Sequence, residues 1–257
     1  MASGHPNFIK HGDAAALPRF QAEVVGLAAL RAAGTNRVPD VISCGLTGSQ
    51  ARLVVEHLDL RPLDRSSGAT LGRQLAALHR TTHDRFGWPH DNFIGVTPQQ
   101  NGWMDSWPRF FAERRLRPQF AMARSNGAAR TVIDKGDELI EKLAAFFMSG
   151  HPVPSLLHGD LWGGNAGQLP DGTPVIFDPA CYYGDREADL AMSELFGGFP
   201  DSFYAAYREA WPLADGFETR RTLYNLYHVL NHFNMFGAGY LSQAQRMLAR
   251  LLADLRG

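Results

Sequence analysis

Residues 155–180 read SLLHGDLWGGNAGQLPDGTPVIFDPA, two short apolar runs that each deliver an acid. The first run ends in His158-Gly159-Asp160, with Asn165 in the same loop, and the second, Pro174-Val175-Ile176-Phe177, leads into Asp178. Phosphoryl transfer asks for such a set: one carboxylate to orient the attacking hydroxyl, and oxygen ligands for the metal that bridges the nucleotide phosphates. Asp160 suits the first task, Asn165 and Asp178 the second. Mg²⁺ takes octahedral oxygen ligands and keeps several waters, so one or two protein oxygens are enough. The spacing from Asp160 to Asn165 lets one loop aim a base at the hydroxyl and turn back to the metal. Protein kinases use the same spacing in H-R-D-x-x-x-x-N, followed by a metal-binding Asp. Gly163 and Gly164 are expected to ease the reversal by accepting positive φ. Turn formation explains Asp160 or Asn165 singly, but not the whole set.

Composition narrows the class. With 257 residues, 45% of them hydrophobic, the chain can bury a full core as one large domain or two lobes. A net charge of −1, with both signs mixed, argues against a nucleic-acid-binding surface and for a small or neutral partner. Cys44 and Cys181 stand far apart and in no metal-ligand spacing, so neither a disulfide framework nor a zinc site is expected, and a reducing cytoplasm suits the chain. The start, MASGHPNFIK, has no apolar signal core, and no apolar run is long enough to span a membrane.

Along the chain, Asn7–Lys10 reads as the end of a strand. Pro18–Ala33 reads as a helix, with Phe20, Val24, Leu27 and Leu30 on one stripe and Gly34 as its stop. Strands are expected near 38–44 and 51–56, with the turn at 45–50. Helices are expected at 69–82, 107–122, 131–147, 186–196, 202–209, 217–235 and 241–252. Residues 86–103, rich in Gly, Pro, Asn and aromatics, read as a long ordered loop of functional type. His79 and His83, like His228 and His232, have the four-residue spacing of a helical zinc site. Both pairs lack the glutamate of the metalloprotease motif, so packed histidines are expected.

HGDLWGGN, FDPACYYGDREADLA, ELFGGFP and NLYHVLNHFNMFGAGY together resemble the fructosamine kinases, or ketosamine-3-kinases, from about Asn7 to about Leu252. Trp162 and the Tyr-Tyr-Gly-Asp run after Asp178 narrow the likeness from the wider aminoglycoside-phosphotransferase-like superfamily to this family. The resemblance implies an α+β, protein-kinase-like fold: a reduced N-terminal sheet lobe over residues 1–59 and a helical lobe over 60–257. It implies ATP and Mg²⁺ as cofactors. Lys10, paired with Glu23, would contact phosphates, and the backbone at Glu56 and Leu58 would hold the adenine edge. His158 would brace the catalytic loop and Asp189 would support its backbone. His228, Asn231 and Asn234 would lie near the sugar. Trp162, two residues past the base, would cover the apolar face of the sugar or its amino-linked carbon.

The implied reaction is phosphorylation of the 3-hydroxyl of a ketosamine, free or protein-bound, after which the adduct decomposes and frees the amine. Kinase-like folds place two strands and a phosphate-covering loop before the lysine strand. Only nine residues precede Lys10, and Gly4 alone cannot form a phosphate nest, so those parts are expected to be absent. Two alternatives follow: a kinase for another small alcohol, such as an aminoglycoside, choline or a sugar, or a non-catalytic binding protein that has lost its nucleotide clamp.

Overall fold

The computed structural model describes residues 7–148 and 150–256; Gly4 lies outside them. In chain order the elements are β1 (Asn7–Asp13), α1 (Leu17–Ala33), β2 (Val41–Thr47), β3 (Gln50–Glu56) and α2 (Arg65–Leu78). Then come β4 (Asn92–Ile94), β5 (Thr97–Gln99), α3 (Trp107–Phe110), α4 (Arg117–Ser125), α5 (Arg130–Glu141), β6 (Ser155–Leu157), β7 (Ala166–Gln168) and β8 (Pro174–Ile176). The chain ends with β9 (Tyr182–Gly184), α6 (Glu187–Leu195), α7 (Asp201–Ala210), α8 (Phe217–Phe236) and α9 (Leu241–Asp254).

These elements fall into two compact units. The first holds the chain through Thr81 together with His158–Cys181 and Phe196–Pro212. The second holds Thr82–Leu157, Tyr182–Leu195 and the chain from Leu213 onward.

In the first unit, β1, β3 and β2 form an antiparallel sheet with β3 in the middle, where Lys10 pairs with Leu53 and Asn7 with Glu56. Helix α1 closes one face through Phe20, Leu27 and Leu30, all buried. Each such side chain contributes roughly 1.5 to 3 kcal/mol by leaving water. Gly34 ends α1 in the left-handed region at φ 69°, the stop its position suggested. Strand β1 does not end at Lys10 but runs on to Asp13, and β2 lies three residues later than its apolar pattern suggested.

Helix α2 also starts earlier than its leucine stripe indicates. Asp64 caps it, accepting from the backbone N–H of Ser66 and Ser67, while the Ser67 hydroxyl accepts from the Asp64 N–H. This reciprocal box satisfies donors that the first turn would otherwise leave open. Helix α7 crosses α2 so closely that a Cβ on Gly72 would sit 2.3 Å from the Phe203 carbonyl oxygen.

In the second unit, α8 runs through the centre and is buried along most of its length. Its Tyr224 joins a cluster with Trp107, Phe110, Phe111 and Tyr182, with neighbouring ring centroids about 5 to 6.5 Å apart. The expected helix at 107–122 is two helices, α3 and α4, joined by a π-helical turn at Phe111–Leu116. Residues 86–103 carry the β4–β5 hairpin, held by Gln99 and Asn101 donating to Asn92 Oδ1 at 2.8 and 2.6 Å. Arg115, fully buried, donates to the Gln100 carbonyl and to Asn101 Oδ1 and stacks on Tyr182. Among the described residues no helix is long and apolar enough to cross a membrane.

Candidate active site

All the catalytic-loop residues lie in the first unit. Strand β6 ends at Leu157, and the loop 158–165 then leads to β7, which pairs with β8. His158 is fully buried; its Nδ1 accepts the Asp160 N–H at 3.3 Å, so its Nε2–H donates to the Phe177 carbonyl at 2.9 Å. One ring thereby ties the start of the loop to the residue before Asp178. The His158 carbonyl closes the same junction by accepting the Ala180 N–H at 2.8 Å.

Asn165 Nδ2 donates to the Asp160 carbonyl at 2.9 Å and to Asp160 Oδ2 at 3.1 Å. Its backbone carbonyl accepts the Phe177 N–H at 3.0 Å. With Nδ2 committed to Asp160, Asn165 has its Oδ1 to offer a ligand. Neither Gly163 nor Gly164 has positive φ; the left-handed glycine of the loop is Gly159, at 83°. Gly164 is needed for another reason, because a Cβ there would meet the Trp162 indole at 2.4 Å. Trp162 is half-buried, edge-on to Phe196 with centroids 6.0 Å apart.

Asp178 is half-buried and, among the described residues, is the one non-glycine with positive φ, at 56°. That conformation costs an L-residue roughly 1 to 2 kcal/mol. Lys10 bonds its Oδ1 and also reaches both carboxylate oxygens of Glu23, at 2.8 and 2.9 Å. Burial pushes the Glu23 carboxyl up to about 7, with Asp178 adding to the rise and Lys10 opposing it.

These three charged groups stand at a cavity of about 270 Å³ whose apolar wall includes Phe8, Leu27, Val55, Leu58, Leu60 and Phe177. Glu56 lines it too, and its backbone N–H is already bonded to the Asp40 carbonyl at 2.8 Å. Phe8 and Lys10, two apart on β1, reach the same cavity; strand alternation could have announced the phenylalanine. No short pattern announces Leu27 or Val55.

The donors suit a hard cation. Among the described residues there is no group of three or more His, Cys, Asp and Glu that could hold a metal unaided. An ion held by the Asp178 carboxylate and the Asn165 amide oxygen would depend on water and phosphate oxygens for the rest, which is the habit of Mg²⁺.

The remaining named residues belong to the second unit. Asp189, in the first turn of α6, is buried, and its charge acts on Tyr182 and His228. His228 is buried, and burial, with His232 adding to it, drives its imidazole down to about 3, so it stays neutral near pH 7. Asn231 Oδ1 accepts from Gln119 Nε2 at 3.2 Å, and Asn234 Nδ2 donates to Gln119 Oε1 at 2.7 Å.

The chain has known relatives. A family model for fructosamine kinase matches residues 1–254. A protein of Synechocystis sp. described as a probable ketoamine kinase is 48% identical over 246 residues, covering 95% of this chain and 82% of the relative. A chloroplastic protein-ribulosamine 3-kinase of Arabidopsis thaliana is 41% identical over 252 residues, covering 97% of this chain and 77% of the relative. A crystal structure assigned as a fructosamine-3-kinase of Thermobifida fusca superposes with a TM-score of 0.87 at 33% identity, covering 98% of this chain and 87% of that one. A choline kinase of Streptococcus pneumoniae shares only the fold, with a TM-score of 0.57 at 16% identity and coverage of 97% and 88%. The chain therefore belongs to the fructosamine kinase family and is a phosphoryl-transferring enzyme of protein-kinase-like fold.

Proposed function

We propose that the enzyme phosphorylates the 3-hydroxyl of a ketosamine with ATP, the step that lets a glycation adduct break down and release its amine. The observation that carries this reading is the meeting of Lys10 from β1, Glu23 from α1 and Asp178 after β8 at one apolar cavity of nucleobase character. Apolar walls with a few convergent charges are what a nucleotide needs from a protein. A lobe boundary at residue 59 would fall within the run from Glu56 to Leu60, most of which lines that cavity.

In this reading Asp160 orients the acceptor hydroxyl and takes its proton. The Asn165 amide, by donating to Asp160 Oδ2, holds that carboxylate still, and the bond from the Asp160 N–H to His158 Nδ1 fixes the backbone beneath it. Asp178 and the Asn165 Oδ1 would hold Mg²⁺, whose contribution when bound is to offset phosphate charge. Lys10, kept in place by Glu23, adds a fixed positive charge. Such a protein does little covalent work; holding reactants in line and stabilising charge supply the rate. Trp162 would cover the sugar's apolar face. His228, Asn231 and Asn234, as sugar contacts, would have to leave the burial and hydrogen bonds described above. The close relatives named for ketoamine and ribulosamine kinases favour a ketosamine over aminoglycosides or choline.

The test is ADP release from ATP and Mg²⁺ with a fructosyl-amine acceptor. The wild type should turn over, and Asp160→Ala should lose at least about a hundredfold in kcat, the usual worth of a positioned base. Its melting temperature should hardly move. Normal turnover by Asp160→Ala would remove this residue from the mechanism.

A further inference from the structure

We propose that Arg37 is a positioning residue that sets the nucleotide cavity's width by holding its hinge wall and its floor together; this rests on the kinase reading above. The side chain serves the wall. Arg37 Nη2 lies 2.6 and 2.5 Å from the two carboxylate oxygens of Glu56, and its Nη1 donates to the Val38 carbonyl. Glu56 Oε2 accepts a further bond from the Asp40 N–H at 3.1 Å. The carboxylate at the end of β3 is thus fixed by donors from the segment between α1 and β2.

The main chain of the same residue serves the floor. Arg37 pairs in parallel with Val175, and its carbonyl accepts the Ile176 N–H at 3.1 Å. Ile176 is the last residue of β8, directly before Phe177 and Asp178, which line the cavity together with Val55 and Glu56. One residue therefore bonds both Glu56 and Ile176. Arg37 and Glu56 side chains are 32% and 25% exposed, so solvent screens this pair less than it screens Arg31 and Asp40, at 48% and 57%. Around metal sites, loss of a residue that orients a ligating side chain typically costs roughly 10- to 100-fold in affinity or activity, and Arg37 would act on the cavity wall in the same indirect way.

The test compares Arg37→Ala, Arg37→Lys, Glu56→Ala and the double Ala variant. The expected result is an ATP KM about tenfold higher in Arg37→Ala, kcat within about twofold at saturating ATP, and an unchanged ketosamine KM. Arg37→Lys, with one ammonium for two carboxylate oxygens, should recover only part of the loss. The double variant should be no worse than the worse single one. In the ligand-free protein, the Ile176 amide should exchange hydrogen faster in Arg37→Ala than in the wild type. A lower melting temperature with unchanged ATP KM and unchanged Ile176 exchange would overturn the proposal. If the wild type consumes no ATP, the kinase reading fails, and the amide exchange still decides whether Arg37 holds the floor.

Discussion

Asp178 carries a carboxylate on a backbone conformation that favours glycine, and Asn is among the few other residues that enter it readily. Asp178→Asn should therefore keep the fold, with the melting temperature within about 2 °C of wild type, while removing the charge that attracts a cation. The Mg²⁺ concentration for half-maximal activity should rise by at least about tenfold; an unchanged metal titration would count against the ligand role. Gly164 offers a second check. A Cβ there would displace the Trp162 indole, so Gly164→Ala should raise the ketosamine KM several-fold and leave the ATP KM alone. Equal rises in both would contradict a sugar-covering indole. The roles proposed for Asp160, Asn165 and Asp178 rest on residue types that phosphoryl transfer asks for within one short stretch. Arg37 could not be read in that way, since its partners Glu56 and Ile176 come from segments far along the chain and no local pattern joins them. The glycine pair was read as positive-φ hinges, whereas Gly164 is held small by the indole of its own loop.

Among the elements, the α2–α7 crossing depends most visibly on one small residue. Gly72→Ala would drive a methyl into the Phe203 carbonyl, and because that obstacle is backbone, the helices must separate. Urea unfolding should show a loss of about 1 to 3 kcal/mol, even though alanine is the better helix former. No loss would mean that the crossing is looser than its geometry. Helices with a continuous apolar stripe, such as α1 and α9, were legible nearly end to end. The first turn of α2 was not, because its buried residues are Ser67 and Gly68 rather than leucines; the Asp64–Ser67 box was the signal to read. The β4–β5 hairpin escaped for a related reason. Its strands have three residues each, too short for an alternating pattern, and side-chain amides hold it in place.

For each unit as a whole, stability rests on what it buries, and the second unit buries charge. Arg220 holds both oxygens of Glu187 at 2.7 and 3.0 Å, and the Tyr224 hydroxyl donates to Asp185. Burial, with Glu187 adding to it, pushes the Asp185 carboxyl up from 3.8 to about 6, while Tyr224 opposes the rise. A carboxyl whose folded pKa is raised holds its proton more tightly when folded. Its stabilising contribution is complete below about pH 4 and is lost as pH rises through about 6. The unfolding free energy of wild type minus that of Asp185→Asn should therefore fall between pH 4 and pH 6, by on the order of 2 to 3 kcal/mol. Parallel curves would contradict the assignment. The family and the kinase-like fold were legible from four motifs, whereas this buried network was not, because Glu187 and Arg220 stand 33 residues apart and meet only when α6 packs on α8.

In the proposed reaction Asp160, Asn165 and Asp178 direct ATP's terminal phosphoryl group to the 3-hydroxyl of a ketosamine. Phosphorus-31 NMR of fructosyl-lysine incubated with ATP, Mg²⁺ and the enzyme tests it most directly. A new phosphomonoester resonance, coupled to the sugar's H3, should grow as the γ-phosphate signal fades and should be missing with Asp160→Ala. An undiminished γ-phosphate signal with the wild-type enzyme, or an ester at another hydroxyl, would contradict it.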